Sequence, residues 1–129
     1  MKKSAFIAAV MLCLASCSNS SLDGTWTVSK LGNDDVPETL NIPQLSIDSS
    51  KGTYSGCTGV NRLNGEIELK GNTLHFKEGA MTRMSADTES MMVEVAYLVT
   101  LEYCHSFEIE GDTLKLLDKN KKVLMQLSR

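Results

Sequence analysis

Apolar and polar residues alternate in several short runs along the chain, and turn residues separate these runs. Period-two alternation places apolar side chains on one face of a strand, and two-residue turns such as Gly71-Asn72 and Gly111-Asp112 join strands into hairpins. The pattern predicts an antiparallel β-sheet or barrel. The runs are TWTVSKL (25–31), LNIPQLSID (40–48), NGEIELKGNTLHFKEG (64–79), SFEIEGDTLKLLD (106–118) and NKKVLMQLS (120–128). In the central hairpin we expect an inward-facing set of Leu63 or Gly65, Ile67, Leu69, Leu74 and Phe76.

One segment, ADTESMMVEVAYLVTLEY (86–103), has apolar residues at the spacing of a helix. Asp87 or Thr88 is suited to the N-cap position, and Glu89 complements the positive helix end. We predict one helix packed across the sheet, covering an open side of the barrel. The residues expected to face the core are Met91, Met92, Val95, Leu98 and Val99.

The start of the chain is typical of a targeting segment. Lys2 and Lys3 precede an apolar run of about ten residues, which is too short to span a bilayer as a mature helix. The run ends in LASC (14–17), which resembles the bacterial lipobox. This resemblance implies a lipoprotein signal peptide at residues 1–16 and acyl chains, such as palmitate, on Cys17. An ordinary secretory signal with an A-x-A-like cleavage site is the alternative.

The residues after Cys17 predict where the protein resides. Residues 17–23 form a lipidated polar tether, and residues 24–128 form one domain. Ser18 stands where enteric-type sorting places Asp to retain a lipoprotein in the inner membrane. We therefore expect a lipid-anchored envelope protein on the outer membrane, facing the periplasm, and more than one acyl chain makes such anchoring stable.

The charge balance limits the possible partners. Taking Lys2 and Lys3 from the 13 basic residues leaves 11, against 16 acidic residues, so the mature chain is acidic. It has no cluster of Lys and Arg. Nucleic acid is therefore not an expected partner, and the membrane is expected to be bound through the lipid instead of through charge.

The stretch YSGCTGVNRLNG (54–65) is rich in glycine, and we interpret it as a loop. Its glycines are expected to supply positive φ or close backbone approach, at Gly56, Gly59 and Gly65. Asn61 is suited to bridge from its side chain to the backbone. Arg62, and Arg83 further along, could pair with acidic neighbours or bind an anionic ligand.

Four segments in this order resemble the META domain, or HslJ-like, family: LDGTWTVSKLG, YSGCTGVNRLNGEIEL, AMTRMSADTESMMVEVAYLVTL and FEIEGDTLKLLDKNKKVLMQL. The resemblance covers roughly residues 22–127. It implies a small lipocalin-like barrel of about eight short strands with one helix, in an envelope lipoprotein or secreted domain. It carries over no catalytic residue. The matching motif positions, whose role is either structural or ligand-binding, are Gly59, Asn61, Arg62, Gly65, Thr82, Arg83 and Met84.

The cysteines depart from the family pattern. Members often have cysteine where this chain has Val60 and Ala86, and both are missing together. Lipidation of Cys17 and removal of the signal leave two cysteines in the mature chain, Cys57 and Cys104. We expect them to form a disulfide that replaces the usual pair, since the chain is exported from the reducing cytoplasm. The alternative is a free, half-buried Cys104 and an exposed Cys57.

No motif points to catalysis or to a bound cofactor. His75 is expected to face solvent, and His105 to be partly buried. Together with Cys57 and Cys104 they could supply zinc ligands, but their spacings match no common zinc motif, so no metal site is predicted. Alternating glutamates are expected to form the wet face of a sheet.

The sequence favours a non-enzymatic, lipid-anchored envelope protein with a binding or stress-support role and an unknown envelope protein or small ligand as partner. One alternative is a barrel that binds a small ligand in a cavity lined by Tyr54, Phe76 and Trp26. The other is an envelope hydrolase that uses His105 or a pair of acidic residues.

Overall fold

The computed structural model describes residues 22–129 as one antiparallel sheet and one helix. The predicted signal peptide, Cys17 and most of the predicted tether lie outside the described residues. The strands are β1 Gly24–Leu31, β2 Asp34–Asp35, β3 Gln44–Asp48, β4 Thr53–Cys57, β5 Arg62–Lys70, β6 Thr73–Phe76, β7 Ala80–Met81, β8 Ser106–Glu110, β9 Thr113–Leu117 and β10 Val123–Ser128. The helix, α1, is Thr88–Tyr103.

The sheet closes on itself into a barrel. The strands follow one another in the order β10-β9-β8-β6-β5-β4-β3-β1, and β10 also pairs with β1. Thr27 and Leu31 of β1 lie opposite Ser128 and Met125 of β10. The short strands β2 and β7 pair with β1 and β5 outside this ring. The predicted fold class, a mainly β barrel of about eight strands with one helix, is therefore confirmed.

Both predicted hairpin turns are present, because Gly71-Asn72 joins β5 to β6 and Gly111-Asp112 joins β8 to β9. Each glycine has positive φ, which suits a tight turn between strands. The interpretation of residues 54–65 as a loop was wrong. Thr53–Cys57 is strand β4, which pairs along its whole length with β5, and the connection comprises only residues 58–61.

The helix begins as predicted, with Asp87 as N-cap. The Asp87 carboxylate accepts a hydrogen bond from the backbone N–H of Ser90 at 3.1 Å and another from its hydroxyl at 2.7 Å. These two hydrogen bonds lower the pKa of Asp87 below its usual value. The capping satisfies a backbone donor that the first helical turn would otherwise leave without a partner.

The predicted buried face of α1 was wrong at three of its five positions. Leu98 packs against the core and Met91 is half-buried. The helix buries Glu94, Tyr97, Thr100 and Leu101. Met92, Val95 and Val99, which were expected in the core, are exposed. Leu69 on β5 is also exposed, although its neighbours Ile67, Leu74 and Leu63 belong to the core.

The helix and the N-terminal segment lie at opposite ends of the barrel. Tyr97 of α1 donates its hydroxyl to the carbonyl of Gln44, the first residue of β3, at 2.8 Å. Leu22 is buried near the other end, where Gly24 pairs with Ile47, close to the end of β3. The core between these ends includes Trp26, Leu45, Leu74, Leu114, Leu116, Met125 and Leu127, each with no exposed surface.

Candidate functional site

A buried polar network joins three segments of the chain at the helix end of the barrel. The Asn61 amide donates to the Glu94 carboxylate at 2.8 Å and to the carbonyl of Met84 at 3.0 Å. Its side-chain oxygen accepts from the Thr82 hydroxyl at 2.9 Å and from the backbone N–H of Met84 at 2.7 Å. Thr58 donates to the same Glu94 oxygen at 2.7 Å. The network therefore holds the 58–61 connection, the 82–84 segment and α1 together.

Most of the side chains in this network are withdrawn from solvent. Thr58 is fully buried, Asn61 is 2% exposed and Glu94 is 5% exposed. A buried carboxylate is costly unless its oxygens accept hydrogen bonds, and two donors supply them here. The sequence identified Asn61, Thr82 and Met84 by resemblance but missed Thr58 and Glu94. Glu94 occupies a helix position whose polarity is typical of a solvent-facing residue.

The three motif glycines allow close packing in this region. Gly59 has φ +96°, and a Cβ there would lie 2.7 Å from the carbonyl oxygen of Asn41. A Cβ at Gly56 would overlap the hydroxyl of Tyr97, and one at Gly65 would lie 2.8 Å from the ring of Tyr54. Both expected roles, positive φ and close approach, are therefore present. Gly65 makes room for the ring of Tyr54 and does not contact the polar network.

A groove lies between α1 and the barrel next to this network, with a volume of about 480 Å³. This size falls within the range of small-molecule sites. Leu98, Leu101 and Glu102 of the helix form one wall of the groove. The barrel and the segment after β6 form the remainder, with Tyr54, Leu63, Phe76, Lys77, Glu78, Gly79, Ala80, Met81 and Arg83. Phe76 and Tyr54 pack edge to face, with ring centroids 5.1 Å apart.

The rim of the groove carries positively and negatively charged side chains, and the floor of the groove is apolar. Lys77 and Arg83 bring two cations, and Glu78 and Glu102 bring two carboxylates. Among residues 22–129 neither Arg62 nor Arg83 forms an ion pair with a carboxylate. The Tyr54 hydroxyl donates to the carbonyl of Lys77 at 2.8 Å. Burial, and to a smaller extent the charge of Glu78, raises the pKa of Tyr54 above its usual value.

Of the three aromatic residues expected to line a cavity, Tyr54 and Phe76 do so and Trp26 does not. Trp26 has no exposed surface, and its ring nitrogen donates to the carbonyl of Leu22 at 2.9 Å. A second depression, of about 560 Å³, lies on the face of β1, β3, β4 and β5 and has no wall from the helix. We consider the groove the better candidate site, because aromatic and aliphatic side chains form its floor and charged groups converge at its rim.

Cys57 and Cys104 are both free in the structure, so the expected disulfide is not formed there. Each sulfur has a local partner instead. Cys57 accepts a hydrogen bond from the backbone N–H of Gly59 at 3.4 Å, and Cys104 donates to the carbonyl of Ser106 at 3.6 Å. Cys104 is buried at the C-cap of α1, and this burial raises its pKa to about 12. The structure agrees with the alternative for Cys104, a buried thiol that packs as a small apolar residue, while Cys57 is half-buried instead of exposed.

The two histidines lie side by side, which their sequence positions did not indicate. The ring centroids of His75 and His105 are 5.1 Å apart, across the junction of β6 and β8. His105, expected to be partly buried, is exposed, and His75, expected to face solvent, is half-buried. Neither lines the groove. Within the described part of the chain, no group of three or more His, Cys, Asp or Glu side chains is arranged to hold a metal ion.

The barrel with a helix across one end has solved counterparts. A protein from Burkholderia xenovorans, solved by NMR, is 25% identical, with a TM-score of 0.67 over 88% of this chain and 86% of that one. Another NMR structure is 22% identical, with a TM-score of 0.64 over 83% and 89%. A crystal structure of a DUF4847 family protein from Bacteroides vulgatus is 15% identical, with a TM-score of 0.60 over 83% and 92%.

These structures define the class of fold, a small helix-capped β-barrel. The model of the META domain matches residues 19–129, and the chain belongs to the META domain family. The resemblance noted from its motifs is thereby confirmed. A search of curated proteins gave no match. Within residues 22–129 no helix combines the length and the apolar character needed to cross a membrane.

Proposed function

We propose that this protein is a lipid-anchored cell-envelope protein that binds a small amphipathic ligand in the groove between α1 and the barrel. The groove carries the proposal. It combines an apolar floor, which suits the body of a small molecule, with charged groups at the rim that suit a polar head. The proposed role is binding without catalysis, and it calls for no cofactor and no nucleic acid.

The geometry of the barrel is compatible with an anchor at Cys17. Leu22 is buried at the barrel end opposite α1, and the five residue steps from Cys17 to Leu22 span at most about 17 Å. A domain held on so short a tether stays close to the membrane. The groove then opens near the end that faces away from the lipid. We further propose that the protein is on the outer membrane and faces the periplasm, because Ser18 occupies the position where Asp would retain a lipoprotein in the inner membrane.

A fluorescent apolar anion, anilinonaphthalene sulfonate, tests the groove. We expect saturable binding at one site in the micromolar range. Leu98→Trp should fill the groove and weaken binding at least about tenfold, because a larger side chain occupies the ligand's volume. Ile42→Trp is the matched control, since Ile42 is 45% exposed and lies outside the groove. It should leave the affinity unchanged.

The charged rim gives a second readout. Arg83→Ala should weaken binding of the anionic probe but not of an uncharged probe of similar shape, because only the anion gains from the guanidinium. Equal affinity of Leu98→Trp and the unaltered protein for the anionic probe would show that the groove is not the binding site.

A further inference from the structure

Helix α1 carries a stripe of exposed apolar side chains that the groove does not use. The α1 stripe consists of Met92, Val95, Val99 and Tyr103, which are 67%, 59%, 42% and 61% exposed. At 100° per residue these positions fall within about 80° of one another around the helix axis, opposite the buried Tyr97 and Leu101. Single exposed apolar residues are common, but a contiguous stripe on one face marks a surface that another molecule covers.

The charges that α1 itself carries beside the stripe are acidic. Glu89 and Glu102 are exposed and lie on either side of it, near opposite ends of the helix. No Lys or Arg occurs between Arg83 and Lys115, although this interval contains seven Asp and Glu residues. A covering molecule that brings Lys or Arg to the margins of the stripe would gain charge complementarity on both sides.

We propose that the α1 stripe is a docking surface for an amphipathic segment of another protein, with an apolar face flanked by Lys or Arg. Apolar positions 92, 95, 99 and 103 follow the spacing by which one helix recognises another along a seam. The apolar contacts supply affinity, and the flanking cations paired with Glu89 and Glu102 select the orientation.

Two other occupants fit the surface less well. A second copy of this chain would bring two helices without Lys or Arg together, so acidic residues would face acidic residues. An anionic membrane would be repelled by the same charges. The anchoring membrane is also at the wrong end, since α1 and Leu22 lie at opposite ends of the barrel. This last point rests on the proposed anchor at Cys17, whereas the charge argument does not.

The test uses the mature, acylated protein in nanodiscs of zwitterionic lipid. The probe is a helical peptide of about 14 residues, two heptads, with Leu at the seam positions and Lys at the flanking positions. Its twin carries Glu in place of Lys. We expect the Lys peptide to bind in the micromolar range and at least about tenfold more tightly than the twin at low salt. Bound peptide should protect Met92 and Tyr103 from hydroxyl-radical oxidation.

Paired variants separate this site from general charge effects. Val95→Lys combined with Val99→Lys should abolish peptide binding. Ile42→Lys combined with Leu69→Lys adds the same charge at exposed apolar positions outside α1 and should retain most of the binding. The anilinonaphthalene sulfonate affinity of the groove should survive in both paired variants, so failure of this proposal and failure of the groove proposal are distinguishable.

Several outcomes would overturn the proposal. One is equal binding of the two peptides, and another is undiminished binding by the Val95 and Val99 variant. Concentration-dependent dimers that this variant abolishes would assign the stripe to a second copy. Protection of Met92 by the nanodisc lipid without peptide would assign it to the membrane.

Discussion

Replacing Asn61 by Ala should destabilise the fold more than any other change at a motif position. The substitution removes four hydrogen bonds, two donated to Glu94 and Met84 and two accepted from Thr82 and Met84; the bond to Glu94 is buried and the other three are partly buried. At about 1 kcal/mol net for each bond, the loss is about 4 kcal/mol. Since small domains have a total stability of about 5–15 kcal/mol, this is a large share of it.

Chemical unfolding measures this loss directly. Trp26 is the single tryptophan and is fully buried, so its fluorescence reports on the core. With a urea dependence of about 2 kcal/mol per molar, Asn61→Ala should lower the midpoint by about 2 M. Asn64→Ala is the matched control, because Asn64 is exposed on β5 and should shift stability by less than about 0.5 kcal/mol. If both variants unfold at the same midpoint, the network does not hold the three segments together.

Three further predictions concern the helix cap, the thiols and the anchor. Asp87→Ala should lower the urea midpoint at neutral pH. The difference in midpoint between the variant and the unaltered protein should shrink as pH falls below 3.8, because a carboxylate with a lowered pKa stabilises the fold only while it is ionised. An unchanged difference in midpoint at pH 3 would refute the capping. In the native protein a maleimide should label Cys57 but not Cys104, because the Cys104 thiol is buried and has a pKa of about 12. Denaturation without reductant should make both thiols reactive. If the two cysteines were bridged, neither thiol would react after denaturation. Cys17→Ala should abolish incorporation of labelled fatty acid and leave an uncleaved or mislocalised precursor, whereas equal labelling of both proteins would exclude the lipobox.

The sequence predicted the barrel and its hairpins well, because period-two alternation and Gly-containing turns are local signals. It missed β4, since Tyr54, Gly56 and Cys57 offer no clear alternation. Gly56 of β4 lies beneath the Tyr97 hydroxyl, and Gly65 of the paired strand β5 lies beneath the Tyr54 ring. Contacts between residues so distant in sequence are not encoded in local periodicity.

The orientation of α1 could not be predicted from polarity alone. The helix carries apolar residues on two faces, and the face that it buries includes Glu94 and Thr100. The Thr100 hydroxyl donates to the carbonyl of Ala96 in its own helix at 3.0 Å. Glu94 is buried because groups outside the helix satisfy it, with Thr58 and Asn61 as the donors. The partners become known only with the fold. For the same reason the motif indicated Asn61 but not Glu94, and it did not indicate the groove.

The proposed function requires that the groove is the binding site, and chemical-shift mapping tests this requirement most directly. Amide resonances of the isotope-labelled protein are followed while anilinonaphthalene sulfonate is added. We predict that the perturbed amides cluster at residues 76–83 and 98–102, and that Leu98→Trp removes these perturbations. Perturbations confined to the depression on β1, β3, β4 and β5, or to the α1 stripe, would contradict the groove as the binding site.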